Sequence, residues 1–194
     1  MVVPAPIRIA AVVSALAGSV SLAGCSASVS GGGGNTGFVD EGVGVTAIAA
    51  SQRVAAPKLT GTTLDGQKFS LDQDKGDVVV INVWGSWCAP CREETAALEE
   101  TYQKYQARGV KLLGINTRDI TSAAVAFDRS MNVTYPSLQD PDETLLLQFK
   151  SMLPAADIPS SVIVDRNGKV AVRVIGAVTE PQLAQQLDAV LSKG

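Results

Sequence analysis

The chain has 194 residues, of which 46% are hydrophobic, and carries a net charge of −3. It contains no histidine, which removes the commonest general base, the imidazole-dependent nucleophile arrangements and the commonest metal ligand. The basic excess that nucleic-acid binding demands is also missing. Chemistry is left to cysteine, carboxylate, lysine, tyrosine or the backbone, and the cysteines are Cys25, Cys88 and Cys91.

From the N-terminus, Ile9 to Leu22 is an uncharged apolar run preceded by Arg8. It falls short of the roughly 20 apolar residues that span a bilayer. Such a run reads as the core of a secretory signal peptide. Its end, Leu22-Ala23-Gly24-Cys25, resembles the lipobox of bacterial lipoproteins. That resemblance implies removal of residues 1–24 and a lipid on Cys25. The protein would then sit on the extracytoplasmic face of the cell membrane, where disulfide chemistry is permitted. Residues 25–51 are rich in Ser, Gly and small apolar residues, including Gly31 to Gly34. A stretch like this cannot bury enough surface to offset its ordering entropy, so it is expected to be a flexible tether. The folded domain is expected over 52–194.

Leu64-Asp65-Gly66-Gln67 is a turn signal between short extended pieces, so a hairpin should open the domain. Val78 to Val83 reads VVVINV, which suits a strand buried on both faces. A helix should follow, with Cys91, Thr95, Leu98, Tyr102 and Tyr105 on one face and Glu93, Glu94, Glu99 and Glu100 mostly elsewhere. Gly109 stops it. Val110 to Ile115 is the next strand. Ile120, Ala124, Phe127 and Met131 form a second helical stripe, and Thr134 to Leu138 is short and extended. Asp140-Pro141-Asp142-Glu143 resembles a helix start with a capping acid, ahead of a short helix bearing Leu145, Leu146 and Phe149. Ser161 to Asp165 and Lys169 to Ile175 are strands joined through Asn167-Gly168. A last helix should start at Thr179, with Gln182 completing a capping box, and bury Leu183, Leu187, Val190 and Leu191. The sum is an α/β domain with a thioredoxin-like order: a central mixed β-sheet flanked by helices, with an N-terminal β-hairpin and a helix–strand insertion.

The chemistry lies in Trp84-Gly85-Ser86-Trp87-Cys88-Ala89-Pro90-Cys91, at the junction of a buried strand and a helix. Two intervening residues let both sulfurs meet across one helical turn. Cys88 would lie at the helix N-terminus, where unpaired N–H groups and the macrodipole favour a thiolate. It is expected to be open to solvent, with Trp87 walling it and Cys91 protected behind it. Pro90 suits the first turn, which needs no N–H at that place.

WCAPC after VVVINVWGS, together with Ile158-Pro159-Ser160-Ser161 and the following Val162 to Lys169, resembles the TlpA/ResA-like branch of the thioredoxin superfamily. The likeness runs from about Ala55 to the C-terminus. It implies a thiol–disulfide oxidoreductase that needs no cofactor. Cys88 and Cys91 are its expected catalytic pair, with Pro159 held in a cis peptide bond facing them. Trp87 and Ile158 are expected to meet the substrate. The insertion would fall at about Thr121 to Leu138. Family members are mostly membrane-tethered reductants of partner cysteines, often those of apocytochrome c. Partners are therefore expected to be protein thiols and disulfides, plus an upstream membrane electron carrier.

Alternatives stay open at this stage. The same residues run an oxidase in reverse. A redox-silent binding lipoprotein would use the fold alone. Structural zinc wants four ligands, and this chain offers two thiols besides Cys25, so no metal is expected. Glu94, three residues after Cys91, either tunes the cysteines or simply suits the first turn of the helix.

Overall fold

The computed structural model describes residues 44–192 and, by backbone alone, residues 38–40. The expected signal peptide, Cys25 and the Gly31 to Gly34 run lie outside the described residues. Val78 to Trp84 forms strand β5, buried at every position. Its β-branched side chains alternate between two faces. Val78 and Val80 point into one apolar cluster with Leu98, Tyr105, Leu183 and Leu187. Val79, Ile81 and Val83 point into another with Leu113, Ile115, Phe149 and Val162. A strand covered on both sides must sit centrally, and β5 does.

The sheet has seven strands, ordered β1-β2-β9-β8-β5-β6-β7. Their spans are β1 Phe38–Asp40, β2 Val45–Ile48, β6 Val110–Thr117, β7 Ser137–Asp140, β8 Ser160–Val164 and β9 Val170–Ile175. β5 runs parallel to β6, and β6 parallel to β7; the remaining pairs are antiparallel. Helix α1, Ala89–Tyr105, and helix α3, Glu180–Leu191, pack together on one face. The Tyr105 hydroxyl donates to the Asp188 carboxylate at 3.1 Å and ties them. Helix α2, Thr121–Met131, sits between β6 and β7 in the chain. The expected turn forms the hairpin β3 Thr60–Thr62 and β4 Lys68–Ser70, with Gly66 at φ +85°. Thr63 bridges to Leu138, and Gln139 donates to the Thr63 carbonyl at 2.7 Å, so the hairpin lies along β7.

Four expectations need correction. The sheet reaches back into the segment read as tether: β2 pairs with β9, Val45 opposite Val174, and buries Val45 and Ile48. Ile120 does not join the α2 stripe; it is the N-cap, extended at ψ 123°, and stands 72% exposed. Asp140 does cap, accepting from the N–H groups of Leu145 and Leu146 at 2.9 Å each. Glu143, however, sits at φ +60°, which breaks helical geometry, so only a 3-10 turn over Leu146–Phe149 follows. The strand expected from Thr134 starts at Ser137, because Thr134 is held by Glu99 of α1. The capping box at Thr179 and Gln182 forms as expected.

Gly114 on β6 marks the tightest contact in the sheet. A Cβ there would stand 2.8 Å from Trp84 Nε1 and clash with Ser137 Oγ, and those two groups are already bonded to each other at 3.1 Å. Gly114→Ala should therefore cost about 2 kcal/mol or more, as overpacking does, read as a lower urea midpoint with an unchanged slope.

Candidate active site

Strand β5 ends at Trp84 and α1 begins at Ala89, so the four residues between them form a tight turn at the end of the sheet. Cys88 is the N-cap of α1 and is joined to Cys91 by a disulfide, with Cα atoms 5.3 Å apart. The Cys91 N–H points at Cys88 Sγ, 3.2 Å away. Both cysteines pack in a small apolar cluster with Trp84, Ala124 and Phe127, and Leu64, Met131 and Ile158 border it. Cys88 is consequently only 4% exposed in this oxidised form, not open to solvent as its position at the helix end suggested. Trp87 stands 51% exposed beside it. The Ile158–Pro159 bond is cis, and the Ile158 carbonyl oxygen lies 3.7 Å from Cys88 Sγ.

The turn is gripped by the loop after β6. Asp119 Oδ2 accepts from the Ser86 N–H at 2.6 Å, and Oδ1 accepts from the Ser86 hydroxyl at 3.0 Å. The Asn116 amide and the Ile120 N–H also donate to this carboxylate, at 3.0 and 2.8 Å. Burial pushes Asp119 up, but the bonds from Asn116, Ser86 and Ile120 outweigh it and hold the carboxyl below its usual range. The Trp87 indole N–H donates to the Thr117 carbonyl at 3.3 Å. Gly85 is required by close approach, since a Cβ there would meet Trp87 Nε1 at 2.5 Å.

Behind the disulfide lies a buried carboxylate. Glu94, on α1 one turn after Cys91, is 3% exposed. Its Oε1 accepts from the Asn82 amide at 2.8 Å and its Oε2 from the Val178 N–H at 2.9 Å. Asn82 also donates to the Ser161 hydroxyl at 3.1 Å. Desolvation raises the Glu94 pKa to about 7, against the lowering effect of the Val178 and Asn82 bonds. Asp128 on α2 is likewise raised to about 7, by burial.

Comparison with known proteins now decides the family. Residues 53–173 match the AhpC/TSA family. The thiol-disulfide oxidoreductase ResA of Bacillus cereus is 30% identical over 135 residues, which cover 70% of this chain and 76% of that protein. The chain belongs to the AhpC/TSA family, among its ResA-like thiol–disulfide oxidoreductases. ResA of Bacillus subtilis is similar at 26% identity over 135 residues, 70% of this chain and 73% of that protein. Among solved structures, a DsbF homologue from Corynebacterium diphtheriae matches with a TM-score of 0.72 at 29% identity, covering 78% of this chain and 96% of that one. A secreted thiol-disulfide isomerase from Corynebacterium glutamicum matches with a TM-score of 0.73 at 28% identity, covering 79% and 95%. The thioredoxin-like fold expected from the element order is the fold of these relatives.

The structure gathers Cys88, Cys91, Trp87 and Ile158 in one place, with Pro159 following Ile158 through the cis bond, and sets Glu94 one helical turn below. Sequence reading missed Asn82, Val178 and Asp119. Asn82 left a signal, as the one polar residue in a strand that is otherwise apolar and wholly buried. Val178 contributes only a backbone N–H, which no side-chain pattern reveals.

The raised Glu94 pKa fixes a pH dependence of stability. An unfolded chain ionises this carboxyl near the ordinary 4.5, whereas the folded protein keeps its proton to about 7. Folded protein thus binds the extra proton across that window, and stability falls as pH rises through it. Glu94→Gln cannot ionise, so in urea unfolding its stability should lose the fall that the wild type shows between about pH 4 and 8, whatever offset its one lost acceptor brings. A wild-type fall that persists unchanged in Glu94→Gln would refute the buried-carboxylate account.

Proposed function

We propose that this protein reduces disulfides in partner proteins outside the cytoplasmic membrane, with Cys88 as attacking thiolate and Cys91 as resolving thiol. The observation that carries the reading is Cys88 Sγ at the N-terminus of α1, receiving the Cys91 N–H at 3.2 Å. A donor and a positive dipole end aimed at one sulfur stabilise its anion. In the reduced protein the Cys88 thiolate attacks a partner disulfide. A Cys88–partner S–S bond forms, the partner's own S–S bond breaks, and the released partner thiolate takes up a proton. Cys91, losing its proton, then attacks Cys88 Sγ. The Cys88–Cys91 bond forms and the second partner thiol leaves. Two electrons and two protons pass to the partner. Recharging needs an external dithiol, which we assign to a membrane electron carrier.

In this reading Glu94, buried one helical turn after Cys91, takes the Cys91 proton, and its raised proton affinity near neutrality suits that role. Ile158 borders the disulfide, and in this reading it forms the contact rim for the partner chain with Trp87, while the cis Pro159 that follows it sets its place. Cys25 carries the anchor in this reading, and the lipobox resemblance supports it. Among the described residues no helix is long and apolar enough to cross a membrane. Clients would be extracytoplasmic proteins with reducible cysteines, apocytochrome c among them.

Alkylation kinetics of the reduced protein should show Cys88 titrating at least about one unit below the free thiol near 8.5. Cys88→Ser should abolish dithiol-dependent insulin reduction, while Cys91→Ser should accumulate mixed disulfides with its clients. Wild type and Cys88→Ser behaving alike in that assay would point instead to a redox-silent binding lipoprotein. The direction is read from the potential: about −270 mV suits a reductant and about −120 mV an oxidant.

A further inference from the structure

Beside the disulfide stands an aromatic–cation pair held in an unfavourable backbone conformation. Arg118 lies in the loop after β6, and its guanidinium carbon sits 4.9 Å from the centroid of the Trp87 ring. Its Nε pairs with Glu143 Oε1 at 3.2 Å. Both partners of that ion pair adopt positive φ, +49° for Arg118 and +60° for Glu143. Ordinary side chains rarely take this region, and residues held there cluster at sites where the surrounding structure over-determines them. Here two such residues meet in one ion pair, and the pair rests on the exposed tryptophan next to Cys88. The ring is itself fixed, through its N–H bond to the Thr117 carbonyl at 3.3 Å.

We propose that Arg118 is a specificity-determining residue, which receives a carboxylate from a client segment beside its reacting cysteine. This rests on Cys88 being the attacking sulfur. Glu143 occupies only the Nε edge of the guanidinium, and the side chain remains 41% exposed. The other N–H groups form the planar fork that matches a carboxylate. Nearby charges leave that fork available. Asp119 is engaged by the donors of Ser86, Asn116 and Ile120. Arg92 reaches the Ser86 carbonyl at 3.4 Å and adds positive charge on the same turn. Asp157 is exposed next to Ile158, so a client's acid is repelled at that edge of the site and favoured at the Arg118 edge. Trp87 precedes Cys88 in the chain and stands 51% exposed, so a client segment engaged at Cys88 lies close to this rim.

The test uses the reduced protein and two short disulfide peptides that differ only in Glu or Lys beside the reacting cysteine. At low salt the wild type should reduce the Glu peptide with about ten-fold higher kcat/KM, mostly through KM, and the ratio should shrink as salt rises. Arg118→Gln should bring the ratio to within about two-fold of unity. Arg118→Gly fits the positive φ without strain and should do the same, so misfolding cannot mimic the result. A ratio near one in the wild type, or one unaltered in both variants, overturns the assignment while leaving the oxidoreductase reading standing. Failure to reduce either peptide overturns both.

Discussion

Asp119 receives four hydrogen bonds, two from Ser86, one from the Asn116 amide and one from the Ile120 N–H. Through them the turn that presents Cys88 is fastened to the end of β6 and to the start of α2. The neighbouring parallel strands β5 and β6 end side by side, Trp84 opposite Asn116, so the turn leaving one and the loop leaving the other are forced together. Ligand sites in α/β sheets gather at such strand ends for this reason. The carboxylate converts that proximity into a fixed geometry. Trp87, Thr117 and Arg118 then take their places around it, so the side of the disulfide that faces the loop after β6 depends on this one polar knot.

A second carboxylate does the opposite work on the inner side. Asp119 is held ionised by its donors, whereas Glu94 is buried deeply enough that desolvation outweighs its two bonds. Two acids thus flank the redox pair with protonation tendencies pushed in opposite directions. Separation of this kind is how a site assigns one acid to structure and another to proton movement.

Much of the scaffold was legible from local pattern. The β-branched run at Val78 to Val83 can hardly be anything but a central strand, and Gly109 and Thr179 punctuate helices as their chemistry dictates. What escaped depends on distant partners. Val45 to Ile48 carries a weak apolar signal in a small-residue segment, and becomes a strand only because β9 offers its edge. Glu143 looks like a capping acid, yet its backbone turns left-handed to meet Arg118. At the site, the cysteines and the proline were readable because their chemistry is tied to residue type. The grip of Asp119 on Ser86 spans 33 positions, and only folding brings it about.

Two carboxyls with raised proton affinity, Glu94 and Asp128, also bear on the protein's titration near neutrality. With no imidazole in the chain, physiological buffering cannot come from the usual side chain. Buried Glu94 and half-buried Asp128, each drawn up to about 7, titrate in that range instead. The buffer capacity of the native protein near neutrality is therefore a property of its tertiary structure. It should vanish on unfolding, when both carboxyls return to the acid range.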